Sequence, residues 1–269
     1  MKKSIYILSI FTLIYSCTKK ESTPTVTPPV VIKLSGCDSI KQGLLKTTSD
    51  TVRLLSCVSI TGCDSVRLGL LKSTKDLLRL GCNSVTIGTQ KWIIVNLDIE
   101  TYRNGDIIPQ VTDPTVWAAL TTGAWCYYID DPANGAKYGK LYNGYAVNDS
   151  RGLAPQGWHI PTDAEWTTLS NFLGGDDLAG GKLKEAGTNK SWISPNTNAT
   201  NESGFSALPG GVRSTSGTFG NVGGYGYWWS ATQSNSEAAF FRSLVYVNGK
   251  LTGGNGINRH GFSVRCLRD

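Results

Sequence analysis

Residues 157–175 read GWHIPTDAEWTTLSNFLGG. Thr162 stands where a helix needs an N-cap, and Glu165 follows three positions later. That is a capping box: the hydroxyl accepts from the Glu165 amide and the carboxylate reaches back to the Thr162 amide. Trp166, Leu169, Phe172 and Leu173 then recur at helical spacing and define one apolar stripe. Gly174 closes the helix, because glycine just past the last turn adopts the left-handed conformation without a Cβ penalty. A second short helix is expected over LAGGKLKEAG (178–187).

Outward from this helix the pattern changes. Upstream, SVTIGTQKWIIVNLD (84–98) gives two strands around a Gly turn, in hairpin style. GAWCYYID (123–130) alternates like a strand, and DDPANG (130–135) is turn chemistry. The aromatic-rich YGKLYNGYAV (138–147) fits strand or helix. Downstream, 18 of the 31 glycines lie between 174 and 261. Glycine at that density marks tight turns and loops. Between them GYWWSAT (226–232), AAFFRSLVYV (238–247) and HGFSVRCLRD (260–269) read as strands. All 8 tryptophans lie beyond residue 82, so residues 83–269 are the main domain. With 40% hydrophobic residues the chain has the means for a packed core. Its glycine and tryptophan content suits a loop-rich β or α+β domain better than a helical bundle.

The N-terminal part is different. Lys2 and Lys3 precede an apolar run, Ile5 to Tyr15, of signal-peptide length and too short to span a bilayer. Ile14-Tyr15-Ser16-Cys17 resembles the bacterial lipobox, with Cys17 as the lipidated residue. Residues 1–16 are therefore read as a lipoprotein signal peptide, and 17–35 as anchor and Pro/Thr-rich spacer. Acyl chains on Cys17 would hold the protein to a bilayer. The expected location is the bacterial cell envelope, at the outer membrane. The formal net charge is only +6, and no block of five like charges occurs, so nucleic acid is not expected as a partner.

Residues 36–82 repeat internally: GCDSIKQGLLKTTSDTVRLLSC (36–57) aligns with GCDSVRLGLLKSTKDLLRLGC (62–82). Asp38 and Asp64 suit helix N-caps, and each unit reads as a small helical hairpin. A cysteine near each end suggests the staples Cys37–Cys57 and Cys63–Cys82, each contributing roughly 3 kcal/mol. Six exported cysteines allow about fifteen pairings, so other connectivities stay open. The segment is read as a stalk.

The main domain carries a recognisable series. GWHIPTDAEW, AGGKLKEAG (179–187), NATNESGFSALPGG (198–211), GYWWSAT and GFSVRC resemble the Fibrobacter succinogenes major paralogous domain family, in that family's order. The resemblance covers nearly all of 84–269. It implies an α+β fold of the C-type-lectin-like and formylglycine-generating-enzyme-like kind. Such a fold has short twisted antiparallel sheets, a few helices and long Gly/Asn-rich loops on one face. The family is mostly bacterial secreted proteins and lipoproteins. By the lectin-like precedent Cys126 and Cys266 would pair and tie an early strand to the last one; the alternative is two buried thiols.

Tests for chemistry mostly exclude. There is no Cys-x-x-Cys, no paired-His spacing and no Gly-x-Ser-x-Gly elbow. The chain has only 2 His. His159 is read as packing plus a backbone hydrogen bond, and His260 as structural. Formylglycine-generating enzymes use a late cysteine pair, whereas only Cys266 is late here. The sugar-coordinating calcium signatures of lectins are replaced by Leu208-Pro209-Gly210 and Trp229-Ser230-Ala231. Asn198, Asn201 and Glu202 remain as weak candidates for a structural calcium, against the simpler reading that they anchor loops. No other cofactor is expected, and no catalytic residue is assigned.

What remains is a display surface of Tyr225, Tyr227, Trp228, Trp229, Gln233, Asn235, Asn255 and Asn258. Aromatics supply apolar area with a polar edge, and amides supply adaptable hydrogen bonds. Adjacent strand residues point opposite ways, so at most one of Trp228 and Trp229 is expected in the core. The exposed one would be the anchor. The expectation is a non-enzymatic envelope lipoprotein that binds a glycan or a surface protein. An enzyme on the same fold and a purely structural envelope protein are the alternatives.

Overall fold

The computed structural model describes residues 83–187 and 191–269. Cys17, the 36–82 repeat and its cysteines Cys37, Cys57, Cys63 and Cys82 lie outside them. The described part is α+β, with three antiparallel sheets and a few short helices.

The first sheet has the order β1-β2-β12-β5. The hairpin β1 (Ser84–Ile87) and β2 (Gln90–Ile93) turns through Gly88, whose φ of +61° suits glycine. The last strand, β12 (Leu267–Arg268), pairs with β2, and β5 (Trp158–His159) pairs with the far side of β12. The second sheet runs β10-β9-β8, from β8 (Tyr225–Asn235), β9 (Ala238–Val245) and β10 (Thr252–Ile257). In the third, β3 (Trp125–Cys126), β4 (Leu141–Asn143), β11 (Gly261–Phe262), β6 (Val212–Arg213) and β7 (Phe219–Gly220) follow in that order.

The helix of the capping box, α4, covers Asp163–Phe172 after three shorter ones: α1 (Pro114–Ala118), α2 (Pro132–Tyr138) and α3 (Gly144–Val147). Both halves of the Thr162/Glu165 box form, and Trp166 and Leu169 are buried as the stripe requires. Phe172 departs from it: its side chain is 63% exposed and lies over the Gly88 turn. The next helix, α5, is Asp176–Leu183, shifted from the expected 178–187. It stops where Lys184 adopts extended backbone and bridges to Ala207.

Three other segments differ from their sequence pattern. GAWCYYID keeps only the two residues of β3 as strand, because Ile129 and Asp130 take positive φ and turn the chain. YGKLYNGYAV is both things: β4 and then α3, capped by the Asn143 side chain. The C-terminal stretch is two short strands in two different sheets. β11 sits in the third sheet, Ser263 bridges to Trp228 in the second, and β12 enters the first. Residues 261–268 therefore stitch all three sheets together.

At the centre of that stitch is a buried arginine with no carboxylate at its guanidinium. Arg265 donates to Asn96 Oδ1 (2.7 Å), to the carbonyls of Ile93 and Phe205 (both 2.9 Å) and to that of Ser206 (3.0 Å). Asn96 Oδ1 also accepts from Trp228 Nε1 at 2.9 Å. Burial drives the Arg265 pKa down to about 9. Lys184 is similar: its ammonium donates to the carbonyls of Thr197, Val245 and Asn248, and burial lowers its pKa to about 8. Such groups are tolerated inside only when every donor finds an acceptor.

Cys126 and Cys266 are both buried thiols, which corrects the expected disulfide. They belong to separate apolar clusters. Cys126 packs with Trp117, Ala124 and Leu141; Cys266 packs with the larger group around Tyr142 and Phe262. Burial pushes each thiol up to about 12.

A candidate ligand-binding face

Tyr225 and Tyr227 sit two apart on β8 and so share one face of the second sheet. Across the strand pair, Ser243 lies opposite Tyr227 and Phe241 opposite Trp229. β10 answers Phe241 with Gly254, where a Cβ would stand 2.9 Å from the Phe241 ring. Glycine there leaves room for the rings.

The result is a row of stacked aromatics. Tyr225 and Tyr227 have centroids 5.8 Å apart and planes 5° apart. Tyr227 stacks on Phe262 at 5.1 Å and 18°, and Phe262 on His260 at 5.3 Å and 13°. Phe241 meets Tyr227 edge-on at 5.9 Å. Ser263 N donates to the Tyr227 carbonyl at 3.1 Å, which holds the Phe262 segment against β8. Phe262 is buried, while Tyr225, Tyr227, Phe241 and His260 are half-buried. The exposed Asn221 adds a polar edge, donating from Nδ2 to Tyr227 Oη at 3.1 Å. Burial raises the Tyr227 phenol above its ordinary pKa, with the Asn221 bond pulling the other way. Burial also lowers the His260 pKa, which favours the neutral ring.

The tryptophans are corrected. Both are core: Trp228 is 1% exposed and Trp229 0%. They do point opposite ways, but each face of β8 is covered at that point. Trp228 enters the cluster of Trp92, Trp166, Phe205 and Leu244. Trp229 enters that of Tyr142, Phe262 and Val264, and donates to the Tyr142 carbonyl at 2.8 Å. Asn258 is also buried, donating to the Ser236 carbonyl at 3.2 Å, and is not a surface residue. Gln233, Asn235 and Asn255 are exposed, with Asn255 on the opposite face of the sheet from the tyrosines. The structure thus brings Tyr225 and Tyr227 together and adds Phe241, Phe262, His260 and Asn221. The alternation of AAFFRSLV against GYWW is the signal that could have placed Phe241.

The other sequence candidates lie elsewhere. Asn201 brackets Ser206, accepting from its amide at 2.8 Å and donating to its hydroxyl at 3.0 Å. Glu202 pairs with Lys182 at 2.8 Å. Asn198 sits at φ +61° beside Gly181 and Gly249. Among the described residues the His159 ring makes no bond to a backbone group. Its Nδ1 lies 2.8 Å from Asp269 and its Nε2 2.9 Å from Glu165, in a carboxylate–imidazole–carboxylate bridge. Among the described residues no group of three or more His, Cys, Asp or Glu side chains converges as a metal site. None of their helices is long and apolar enough to cross a membrane.

Fold and face together define an α+β domain of short antiparallel sheets that presents a partly exposed aromatic row beside glycine-rich turns. Over residues 85–268 the chain matches the Fibrobacter succinogenes major domain, and it belongs to that family. No curated protein and no solved structure matches it.

Proposed function

We propose that the protein is a lipoprotein of the bacterial cell envelope, held at the outer membrane through acylated Cys17. It displays a non-catalytic, lectin-like domain whose ligand is a glycan. The lipobox-like Ile14-Tyr15-Ser16-Cys17 behind Lys2 and Lys3 supports the anchor. The pairing of the first hairpin with the last strand, among three short antiparallel sheets, supports the lectin-like reading of the fold.

One observation carries the ligand: the parallel, half-exposed Tyr225–Tyr227 pair with Asn221 at its edge. Aromatic faces take up the C–H side of a sugar ring, and phenol and amide groups bond its hydroxyls. Stacked and half-buried, these rings offer a narrow aromatic strip rather than a broad surface. That suits a flat saccharide better than a protein partner, which needs about 800 Å² of contact per side.

The test is a glycan and polysaccharide array probed with the soluble chain bearing Cys17→Ser, in calcium and in chelator. Wild type is expected to bind a restricted set of glycans. Tyr227→Ala and Tyr225→Ala are expected to bind at least tenfold more weakly, about 1.4 kcal/mol or more. A blank array in both conditions, with the protein folded, overturns the aromatic row as a glycan site. Loss of binding in chelator alone would assign a calcium ion to the site.

A further inference from the structure

A second concavity, sharing no residue with the aromatic row, opens beside α5. It has a volume of about 160 Å³ and is lined by Asp177, Leu178 and Lys182 from the helix, Asn198, Thr200 and Glu202 from the following loop, and Gly249 from the β9–β10 turn. That is near the size of one sugar ring and well below the roughly 300–1,000 Å³ of sites for larger ligands.

Its charges cancel. Lys182 pairs with Glu202 at 2.8 Å, and Lys250 with Asp177 at 2.7 Å. A bare anion would meet two carboxylates, and a bare cation would have to compete with the ammonium groups that already hold them. A neutral solute rich in hydroxyls meets neither penalty. Each carboxylate in a single ion pair keeps lone pairs for further hydrogen bonds. The Asn198 amide makes no side-chain hydrogen bond among the described residues. Leu178, 57% exposed, sets an apolar surface beside these polar groups. One apolar side and several convergent donors and acceptors is the complement of a pyranose.

The position of Asn198 is built in. A Cβ on Gly249 would stand 3.1 Å from the Asn198 Cβ and 3.2 Å from its Nδ2, and one on Gly181 would collide with the Asn198 carbonyl. Asn198 itself holds a φ of +61°, a left-handed conformation that asparagine tolerates better than most non-glycine residues. Two glycines and a left-handed asparagine place one amide on the wall of the cleft.

We propose that this cleft is a second saccharide subsite, taking one neutral sugar residue through its hydroxyls. The inference rests on the glycan reading above for choosing a sugar over another polyol, and it assigns the hydroxyl-reading role to a place that reading does not use.

The test is an amide NMR titration of the full chain bearing Cys17→Ser. The probes are methyl β-D-glucopyranoside, methyl β-D-galactopyranoside and methyl α-D-mannopyranoside, each to about 50 mM, since a single ring binds at millimolar strength. The expected result is saturable shifts of the Thr200 and Gly249 amides with at least one sugar. They should persist in Tyr227→Ala and weaken at least tenfold in Asp177→Asn. Asn198→Gly, which keeps the left-handed backbone, should weaken them likewise. Silence of those amides with all three sugars overturns the proposal. So do equal shifts in the two cleft variants, or shifts with L-alanine and none with sugars, which would mark a zwitterion site. A live cleft beside a blank array would overturn the aromatic platform alone; a working platform beside a silent cleft would overturn only this subsite.

Discussion

Trp228 and Trp229 are one residue apart and end in different cores, whereas Tyr225 and Tyr227, two apart on the same strand, end half in solvent. The difference is what covers β8. Toward Trp228 lie α4 and the first hairpin, through Trp166 and Trp92. Toward Trp229 lie the third sheet and α3, through Tyr142, Phe262 and Ala146. Nearer its start the strand emerges from that second cover, and the tyrosines are left at the margin. A strand's alternation says which residues share a face. It does not say which face is wet, because that depends on elements far away in sequence.

The largest test of this contrast is truncation of each ring. Trp228→Ala and Trp229→Ala should each cost about 3–5 kcal/mol in urea unfolding, the range for a large aromatic removed from a packed core. Each also deletes the donor to a buried oxygen, Asn96 Oδ1 or the Tyr142 carbonyl. Tyr227→Ala should cost less, about 2 kcal/mol, since it removes three ring contacts from a half-buried position. Equal losses for Tyr227 and Trp229 would show that the two are covered alike, and the contrast would be gone.

A smaller test uses the two faces of β10. Gly256 lies against the aromatic side: an added Cβ would stand 2.9 Å from both Phe262 and Trp229. Gly253 lies on the other face, where the nearest atom is the end of Arg242 at 3.4 Å. Neither needs a positive φ. Gly256→Ala should therefore destabilise by about 1–3 kcal/mol through overpacking. Gly253→Ala should be neutral or stabilise by up to about 1 kcal/mol, by restricting the unfolded chain. The pair is read from unfolding midpoints, and a Gly256→Ala protein as stable as wild type would mean the rings are not tightly packed there.

The same contrast explains what the sequence made legible. The capping box at Thr162 and Glu165, the 84–93 hairpin and the strands of GYWWSAT and AAFFRSLV rest on neighbours within a few residues, and they formed as their patterns imply. The family series also held, over 85–268. The rest was non-local. HGFSVRCLRD looks like one strand, but it divides among three sheets through β11, the Ser263 bridge to Trp228 and β12. Cys126 and Cys266 looked like partners by the lectin-like precedent, yet they fill separate clusters. Of the expected binding face, Tyr225 and Tyr227 were readable as an i, i+2 pair. Phe262 and His260 were not, since only the C-terminal stitch brings them to β8.

The smallest effect distinguishes the two covers themselves. The cover over Trp228 includes α4, whose first turn is tied to the chain's last residue through His159, between Glu165 and Asp269. On the Trp229 side the bridges between carboxylates are held by Arg151, over Tyr102, and by Lys140, over Trp125, rather than by an imidazole. Burial alone would lower the His159 pKa, but its bonds to Asp269 and Glu165 outweigh that and raise it above 6.5. Burial would raise Glu165, yet bonds from Thr162 and His159 hold it below 4.5. A histidine with a raised folded pKa adds stability that is complete below the unfolded value and is lost as pH rises through the folded one. The glutamate's share is present above 4.5 and lost in acid. The bridge is thus strongest between 4.5 and 6.5. Because its members are about one-third or more exposed, its worth is under about 1 kcal/mol. Wild type should lose that increment as pH rises above 6.5, and His159→Gln should not. Trp229→Ala should leave the increment intact, since it opens the other cover. Identical pH profiles for wild type and His159→Gln would mean that the imidazole packs without carrying charge between its two carboxylates.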